Sequence, residues 1–406
     1  MAATTERSDA TTIRPFHVDV PEEPLAELRR RLAATVWPGK ELVSDRSQGV
    51  QLATIQALAR YWQAEHDWCV CEAKLNALPQ FKTEIDGLEI HFIHVKSRHE
   101  NALPLIITHG WPGSVIELLE VVAPLTDPTA HGGSATDAFD LVLPSLPGYG
   151  FSEVPKTVGW DPGHTARAWA ELMTRLGYTR YVAQGGDQGA AVTDSMAIQA
   201  PTGLIGIHLN FLRRPPLEIA AAVFGGAPDP EGLTDDERVA FKAFKAQFRK
   251  GYIVEQGQTP QTIGYSLTDS PIGLAAWILD HDTDSYEKIS RAFLDGHPTG
   301  GLTRDRILDN ITLYWVTHTG TPAARIYWEG ARAAALAAGQ PSPPVSLPVA
   351  FTVFPDEIFK APRSWAERVY PNLIYWGQVD RGGHFAAWEE PELFATELRA
   401  AFRSLR

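Results

Sequence analysis

The sequence predicts an α/β protein with a mostly parallel sheet, an inserted helical lid and an N-terminal helical wrap. Three observations predict it. From about residue 80, short β-type runs alternate with helix-like segments, the pattern of βαβ units. That alternation stops over roughly 215–344 and then resumes. Residues 1–78 carry their apolar positions at helical rather than strand spacing.

Taken in order, the wrap (1–78) contains a helix starting near Val20-Pro21-Glu22-Glu23, running through Leu25, Leu28 and Leu32, and ending before Pro38. A second run, Val50 to Trp68, places Leu52, Ile55, Leu58, Tyr61 and Trp62 on one helical face. The first part of the core (79–214) opens with Thr83–Ile85 and Glu89–Val95, which alternate around Asp86-Gly87 as a hairpin does. Further strands follow at Leu103–Thr108, Asp140–Pro144, Tyr181–Gln184 and Leu204–Phe211. The lid (215–344) shows a capping box at Thr234-Asp235-Asp236-Glu237, with Phe241, Phe244 and Phe248 on one face. Helices are also expected at Leu274–Leu279 and Ile307–Trp315. The proline-rich stretch Pro341 to Pro348 reads as a linker back to the sheet. The second part of the core (345–406) supplies strands at Val349–Val353 and Leu373–Trp376.

Apolar residues make up 44% of the 406 and charged ones 21%, which excludes a disordered or fibrous chain. A net charge of −13 disfavours nucleic acid and anionic membrane surfaces, because phosphate binding needs a basic footprint. Cys69 and Cys71 lie too close together for a disulfide framework and are read as free thiols of a reducing compartment. Met1 to Thr12 lacks an apolar signal segment, and no stretch approaches the ~20 apolar residues of a membrane span. The expectation is a cytoplasmic protein with no membrane anchor. Homo-oligomerisation is left open.

The segment Tyr181-Val182-Ala183-Gln184-Gly185-Gly186-Asp187-Gln188-Gly189-Ala190 reads as strand, sharp turn and helix, with Asp187 at the turn. Many hydrolases place a serine at such an elbow. An aspartate there is already anionic near pH 7, so it can attack carbon and form an ester on the enzyme. A plain Gly/Asp turn fits the same ten residues. A nucleophilic Asp187 needs a base, a carboxylate to orient that base, and donors for an oxyanion. The base candidate is His384 in Asp380-Arg381-Gly382-Gly383-His384-Phe385, a loop after the last strand. The acid is Asp356 or Glu357 in Phe354-Pro355-Asp356-Glu357, with Asp380 a third candidate close to His384 in the chain. One oxyanion donor is the N–H of Gln188, after the nucleophile. The other comes from His109-Gly110-Trp111-Pro112-Gly113-Ser114, which follows an early strand and includes a candidate cis bond at Trp111–Pro112.

Other polar groupings carry no such chemistry. His91 and His94 are three apart in a strand and face opposite sides. Asp280, Asp282 and Asp284 resemble the start of a calcium loop, but its glycine position is Ser285 and its bidentate glutamate position is Arg291. Gly185-Gly186 lacks a P-loop lysine. No metal and no cofactor is assigned.

Together these motifs resemble the microsomal-type epoxide hydrolases of the α/β-hydrolase superfamily. The resemblance rests on His109–Gly113, Pro144-Ser145-Leu146-Pro147-Gly148-Tyr149-Gly150-Phe151-Ser152, Gly186–Gly189 and Arg381–Ala387. Pro15-Phe16 to Trp37-Pro38 and Tyr61 to Leu78 look like that family's N-terminal domain, so it covers nearly the whole chain from about Ile13. The sequence lacks the membrane-anchoring N-terminal helix of the vertebrate members. The resemblance implies an α/β-hydrolase fold, with Asp187 as nucleophile, His384 as base and Glu357 rather than Asp356 as orienting acid. Two lid tyrosines that hold the epoxide oxygen are matched to Tyr252 and Tyr327; by the residues alone Tyr265 and Tyr314 are equal contenders. Trp111 and Gln188 become the oxyanion donors. The implied substrate is a small apolar or aromatic epoxide, in keeping with the 12 tryptophans and the aromatic lid. Two other activities use the same framework: haloalkane dehalogenation, and silent ligand binding on the fold.

Overall fold

The computed structural model describes residues 11–337 and 343–406. Nine strands make one sheet: β1 (Arg14–Phe16), β2 (Gln80–Ile85), β3 (Leu88–Val95), β4 (Leu103–Thr108), β5 (Phe139–Pro144), β6 (Tyr181–Gly185), β7 (Leu204–Leu209), β8 (Val349–Val353) and β9 (Leu373–Gln378). Their spatial order is β1-β2-β3-β5-β4-β6-β7-β8-β9. The pairings β1/β2, β2/β3 and β3/β5 are antiparallel, and every pairing from β5 to β9 is parallel.

The hairpin between β2 and β3 turns on two residues, Asp86 (φ 51°) and Gly87 (φ 78°). Positive φ at both suits the twist of antiparallel strands, and Asp-Gly tolerates it. Successive residues of the central strands point to opposite faces. Ile106, Val142 and Ala183 therefore join one core with Trp169 and Leu172, whereas Leu105, Ile107 and Leu141 join the other with Leu398 and Phe402.

The wrap departs from expectation in two respects. Pro15 lies within an edge strand, β1, which the sequence reading left out because three residues show no period. The run Val50 to Trp68 is also not one helix. It breaks after Ala64, and Asp67 caps a new helix, Trp68–Asn76, by accepting from the Cys69 N–H. Cys69 is exposed, Cys71 is buried, and neither forms a disulfide. The first helix, Glu22–Ala33, buries Leu25, Leu28 and Leu32.

Between β7 and β8 the described residues form eight helices, from Leu217–Phe224 to Gly320–Leu336. The capping box at Thr234 and Glu237 is present. The return linker from Pro341 begins outside the described residues. The wrap grips the lid: Trp62 Nε1–H donates to Thr312 Oγ1 at 2.9 Å, and the hydroxyls of Thr54 and Ser290 lie 2.8 Å apart. Among the described residues no helix is long and apolar enough to cross a membrane.

The sheet positions the site. β4 is flanked by β5 and β6, so the chain reverses its winding there, where ligands of open α/β sheets bind. Thr108 is in register with Gly185, which sets the His109–Ser114 turn beside Asp187. Further along, a bridge between Asp356 and Gly383 sets the loop after β8 beside the loop carrying His384.

Candidate active site

Asp187 opens the helix Asp187–Gln199 and is only 4% exposed. Its φ is +44°, a left-handed conformation uncommon for a residue with a Cβ and costing on the order of 1–3 kcal/mol. The sharp bend therefore sits on the aspartate, not on the flanking glycines. Those glycines permit close approach. A Cβ on Gly185 would lie 2.1 Å from the Gly189 carbonyl oxygen, and one on Gly189 would lie 2.0 Å from that of Thr108.

The Trp111 N–H donates to Asp187 Oδ1 at 2.8 Å. The turn that carries it is locked from three sides. Asn310 Nδ2–H donates to Pro112 O at 2.8 Å, Tyr314 donates to Gly113 O at 2.6 Å, and the Leu146 N–H donates to His109 Nε2 at 3.0 Å. The Trp111–Pro112 bond is cis. Gln188 is buried in the first helical turn, where amide N–H groups have no helical acceptor.

His384 Nε2 lies 3.3 Å from Asp187 Oδ2, and its Nδ1–H donates to Glu357 Oε1. Of the three candidate carboxylates, Glu357 is the one that meets the imidazole. Asp356 is held by Lys288 Nζ at 2.9 Å, and Asp380 stands on the surface beside Arg381. Burial opposes charge on both members of the Asp187–His384 pair. Attraction wins: His384, between Glu357 and Asp187, is held well above the ordinary histidine value, and its bond and charge bring Asp187 down to about 2. At rest the two form an ion pair.

Tyr252, from helix Gly251–Gln258, stacks on Trp111 with centroids 5.7 Å apart. Tyr327, from helix Gly320–Leu336, meets Trp111 edge-on at 5.8 Å and Tyr252 at 6.1 Å. Burial, chiefly, pushes both phenols well above their ordinary value, so both keep their protons. Gln247 Nε2–H donates to Tyr252 Oη at 2.7 Å, which leaves the Tyr252 proton unclaimed. Among the described residues Tyr327 Oη has no hydrogen-bond partner; the Gln188 side chain lies beside it without completing a bond of good geometry. The other contenders are occupied elsewhere. Tyr314 spends its proton on Gly113, and Tyr265 is 71% exposed. A cavity of about 530 Å³ runs past Gln188 and Tyr327, lined also by Phe224, Phe248, Ile253 and Arg213.

Comparison with known proteins gives the family and the fold. Residues 13–118 match the family described as epoxide hydrolase N terminus, and residues 104–267 match the alpha/beta hydrolase fold. A putative epoxide hydrolase of Stigmatella aurantiaca (strain DW4/3-1) is 52% identical over 97% of this chain and 86% of its own. Epoxide hydrolase 1 of Sus scrofa is 35% identical over 96% of this chain and 88% of its own. The chain belongs to the epoxide hydrolase family. Among solved structures, the juvenile hormone epoxide hydrolase of the silkworm Bombyx mori superposes with a TM-score of 0.83 at 31% identity, covering 99% of this chain and 97% of that one. The mostly parallel sheet with its helical lid is thus the α/β-hydrolase fold.

Three groups in this epoxide hydrolase family member escaped the sequence reading. Gln247, beneath Tyr252, carries no local signal. Glu117 is buried beneath the Trp111 turn, where burial and the nearby Asp187 push its carboxyl well above the usual range. In sequence Ser114-Val115-Ile116-Glu117 has the form of a capping box. His281 lies between the rings of Tyr252 (5.1 Å) and His384 (4.9 Å). It stands inside the Asp280–Asp284 run examined for calcium. Those carboxylates diverge: Asp280 pairs with Arg46, Asp284 with Lys288, and Asp282 with His281. His91 and His94 have separate partners, Ser145 and Gln80 for the first and Tyr178 for the second.

Proposed function

We propose that this chain hydrolyses an apolar or aromatic epoxide to a vicinal diol through an ester on Asp187. The observation that carries the reading is the pair of buried phenols, Tyr252 and Tyr327, with protons available above an ionised Asp187. An epoxide is strained, but its alkoxide leaves poorly, so opening needs a donor at oxygen. Asp187 attacks a ring carbon while the two phenols hold the developing alkoxide.

The ion pair then sets the order of events. Esterification removes the negative charge of Asp187, one of the two that keep His384 protonated. His384 gives up its proton, which completes the hydroxyl of the opened ring. Now neutral, it takes a proton from water, whose oxygen attacks the ester carbonyl, and Glu357 steadies the imidazolium. The N–H groups of Trp111 and Gln188 stabilise the oxyanion; losing one such donor costs about 3–4 kcal/mol. Collapse releases the diol and restores the ion pair.

The test is one turnover in heavy-oxygen water. Label in the Asp187 carboxylate supports the ester; label only in the diol overturns it. The variant Asp187→Ala is expected to form no diol while keeping its fold. A haloalkane dehalogenase shares the aspartate elbow, and a haloalkane run beside the epoxide panel separates the two, because halide release has no use for two phenol donors.

A further inference from the structure

We infer that Asp187, His281 and His384 form a binding site for one divalent transition-metal ion of the zinc type, and that its occupancy arrests the hydrolase. One ligand atom from each of the three residues lies within 4.8 Å of the others, and all three side chains are buried. Asp187 Oδ2 and His384 Nε2 are 3.3 Å apart. That is about the separation of two ligands on one tetrahedral zinc with bond lengths of about 2.0–2.2 Å.

The histidines are prepared as metal ligands in the same way. Nδ1 of His384 is held by Glu357, and Nδ1 of His281 is held by Asp282 at 3.0 Å. A carboxylate at Nδ1 fixes the tautomer that leaves a lone pair on Nε2, the usual arrangement behind a metal-bound imidazole. Asp282 is itself fixed, because its other oxygen accepts from the Ser285 N–H at 2.8 Å. His281 Nε2 is a buried nitrogen with no hydrogen-bond partner among the described residues. Packing alone does not explain a ring with one nitrogen oriented and the other bare. Two imidazoles and one carboxylate suit zinc, cobalt or nickel rather than magnesium or calcium, which take oxygen ligands. The ion replaces the proton shared by His384 and Asp187, which leaves to solvent, and a fourth position remains for water.

The site stands on ligand geometry alone, whereas the arrest rests on the proposed hydrolase reading. The test is therefore run first without epoxide, on the full chain. Zinc chloride is titrated calorimetrically and cobalt chloride by visible absorption. One ion per chain with the visible bands of four-coordinate cobalt is expected, and magnesium chloride gives no signal. His281→Phe keeps a ring between Tyr252 and His384 but removes the ligand, and should weaken zinc binding by about 100-fold or more. Asp282→Asn keeps the helix cap but loses the carboxylate, and should weaken it by about 10-fold, which serves if the first variant does not fold. Absence of stoichiometric binding, or equal affinity in the parent and either folded variant, overturns the site. Zinc inhibition competitive with epoxide and reversed by a chelator supports the arrest. Binding without any epoxide turnover leaves the site standing and sinks only the hydrolase reading.

Discussion

Replacing His384 with glutamine should split the proposed reaction into a step that survives and one that fails. Asp187 keeps its Trp111 N–H at 2.8 Å, and both phenols keep their protons. Losing the histidine removes the main influence that offsets burial and brings the Asp187 pKa down to about 2, so burial then pushes the carboxyl upward. The Trp111 N–H and the charge of Arg213 still favour the carboxylate against burial, so alkylation at pH 7.5 should slow by no more than about tenfold. Ester hydrolysis loses its general base, which is worth about 10²–10⁴ in rate, or about 3–5 kcal/mol of barrier. The slow second step then traps the ester. Rapid-quench kinetics with intact-protein mass spectrometry should show one equivalent of epoxide bound, followed by arrest. Steady-state turnover by His384→Gln within tenfold of the parent would refute the reasoning. So would equal loss of both steps with no adduct.

Further outcomes follow from the same geometry. Tyr252→Phe and Tyr327→Phe each remove a hydrogen bond to a developing charge, worth about 1.5–3 kcal/mol, so alkylation should slow about 10–100-fold in each; a change under twofold in either would remove that phenol from the scheme. Gly189→Ala forces a Cβ to 2.0 Å from the Thr108 carbonyl and should cost about 3 kcal/mol or more in denaturant titrations. Gly330→Ala, in a helix with open space around it, should instead stabilise by up to about 1 kcal/mol. Burial alone pushes fully buried His208 from 6.5 down to about 3, so the unfolded chain binds its proton first as pH falls. That contribution to stability is complete above pH 6.5 and is lost progressively down to about 3. Between pH 7.5 and 5 the loss is about 2 kcal/mol. The stability difference between those pH values should shrink by that amount in His208→Leu, and an unchanged difference would count against the buried neutral ring.

Much of the fold was legible because its signals are local. The β2–β3 hairpin follows from Asp86-Gly87 between alternating residues, and the lid helix from the Thr234 and Glu237 cap. Where signals were short or shared, the reading failed. Three residues around Pro15 could not announce an edge strand, and the break capped by Asp67 fell inside a stretch whose apolar residues keep helical spacing. The elbow was placed correctly, but the sequence did not show that Asp187 itself takes the positive φ. Glycine marks both positive φ and close approach, and only coordinates separate the two.

By itself the sequence located the candidate groups: an aspartate on a strand–turn–helix, a Gly-Gly-His loop, and a Trp-Pro turn. These are properties of a few adjacent residues. Only the tertiary structure decided the partners, because each approach spans a long stretch of chain. Trp111 and Asp187 are 76 residues apart and the β4–β6 register closes that gap; Asp187 and His384 are 197 apart and the pairings from β6 to β9 close theirs. The bridge between Asp356 and Gly383 set Glu357 beside His384, while Lys288 held Asp356. Lid packing set Tyr252 and Tyr327 against Trp111, bonded Tyr314 to Gly113 and left Tyr265 exposed, and it brought His281 between Tyr252 and His384. No residue near His281 in the sequence reports that position, since its neighbours in space come from helices and loops folded over the sheet.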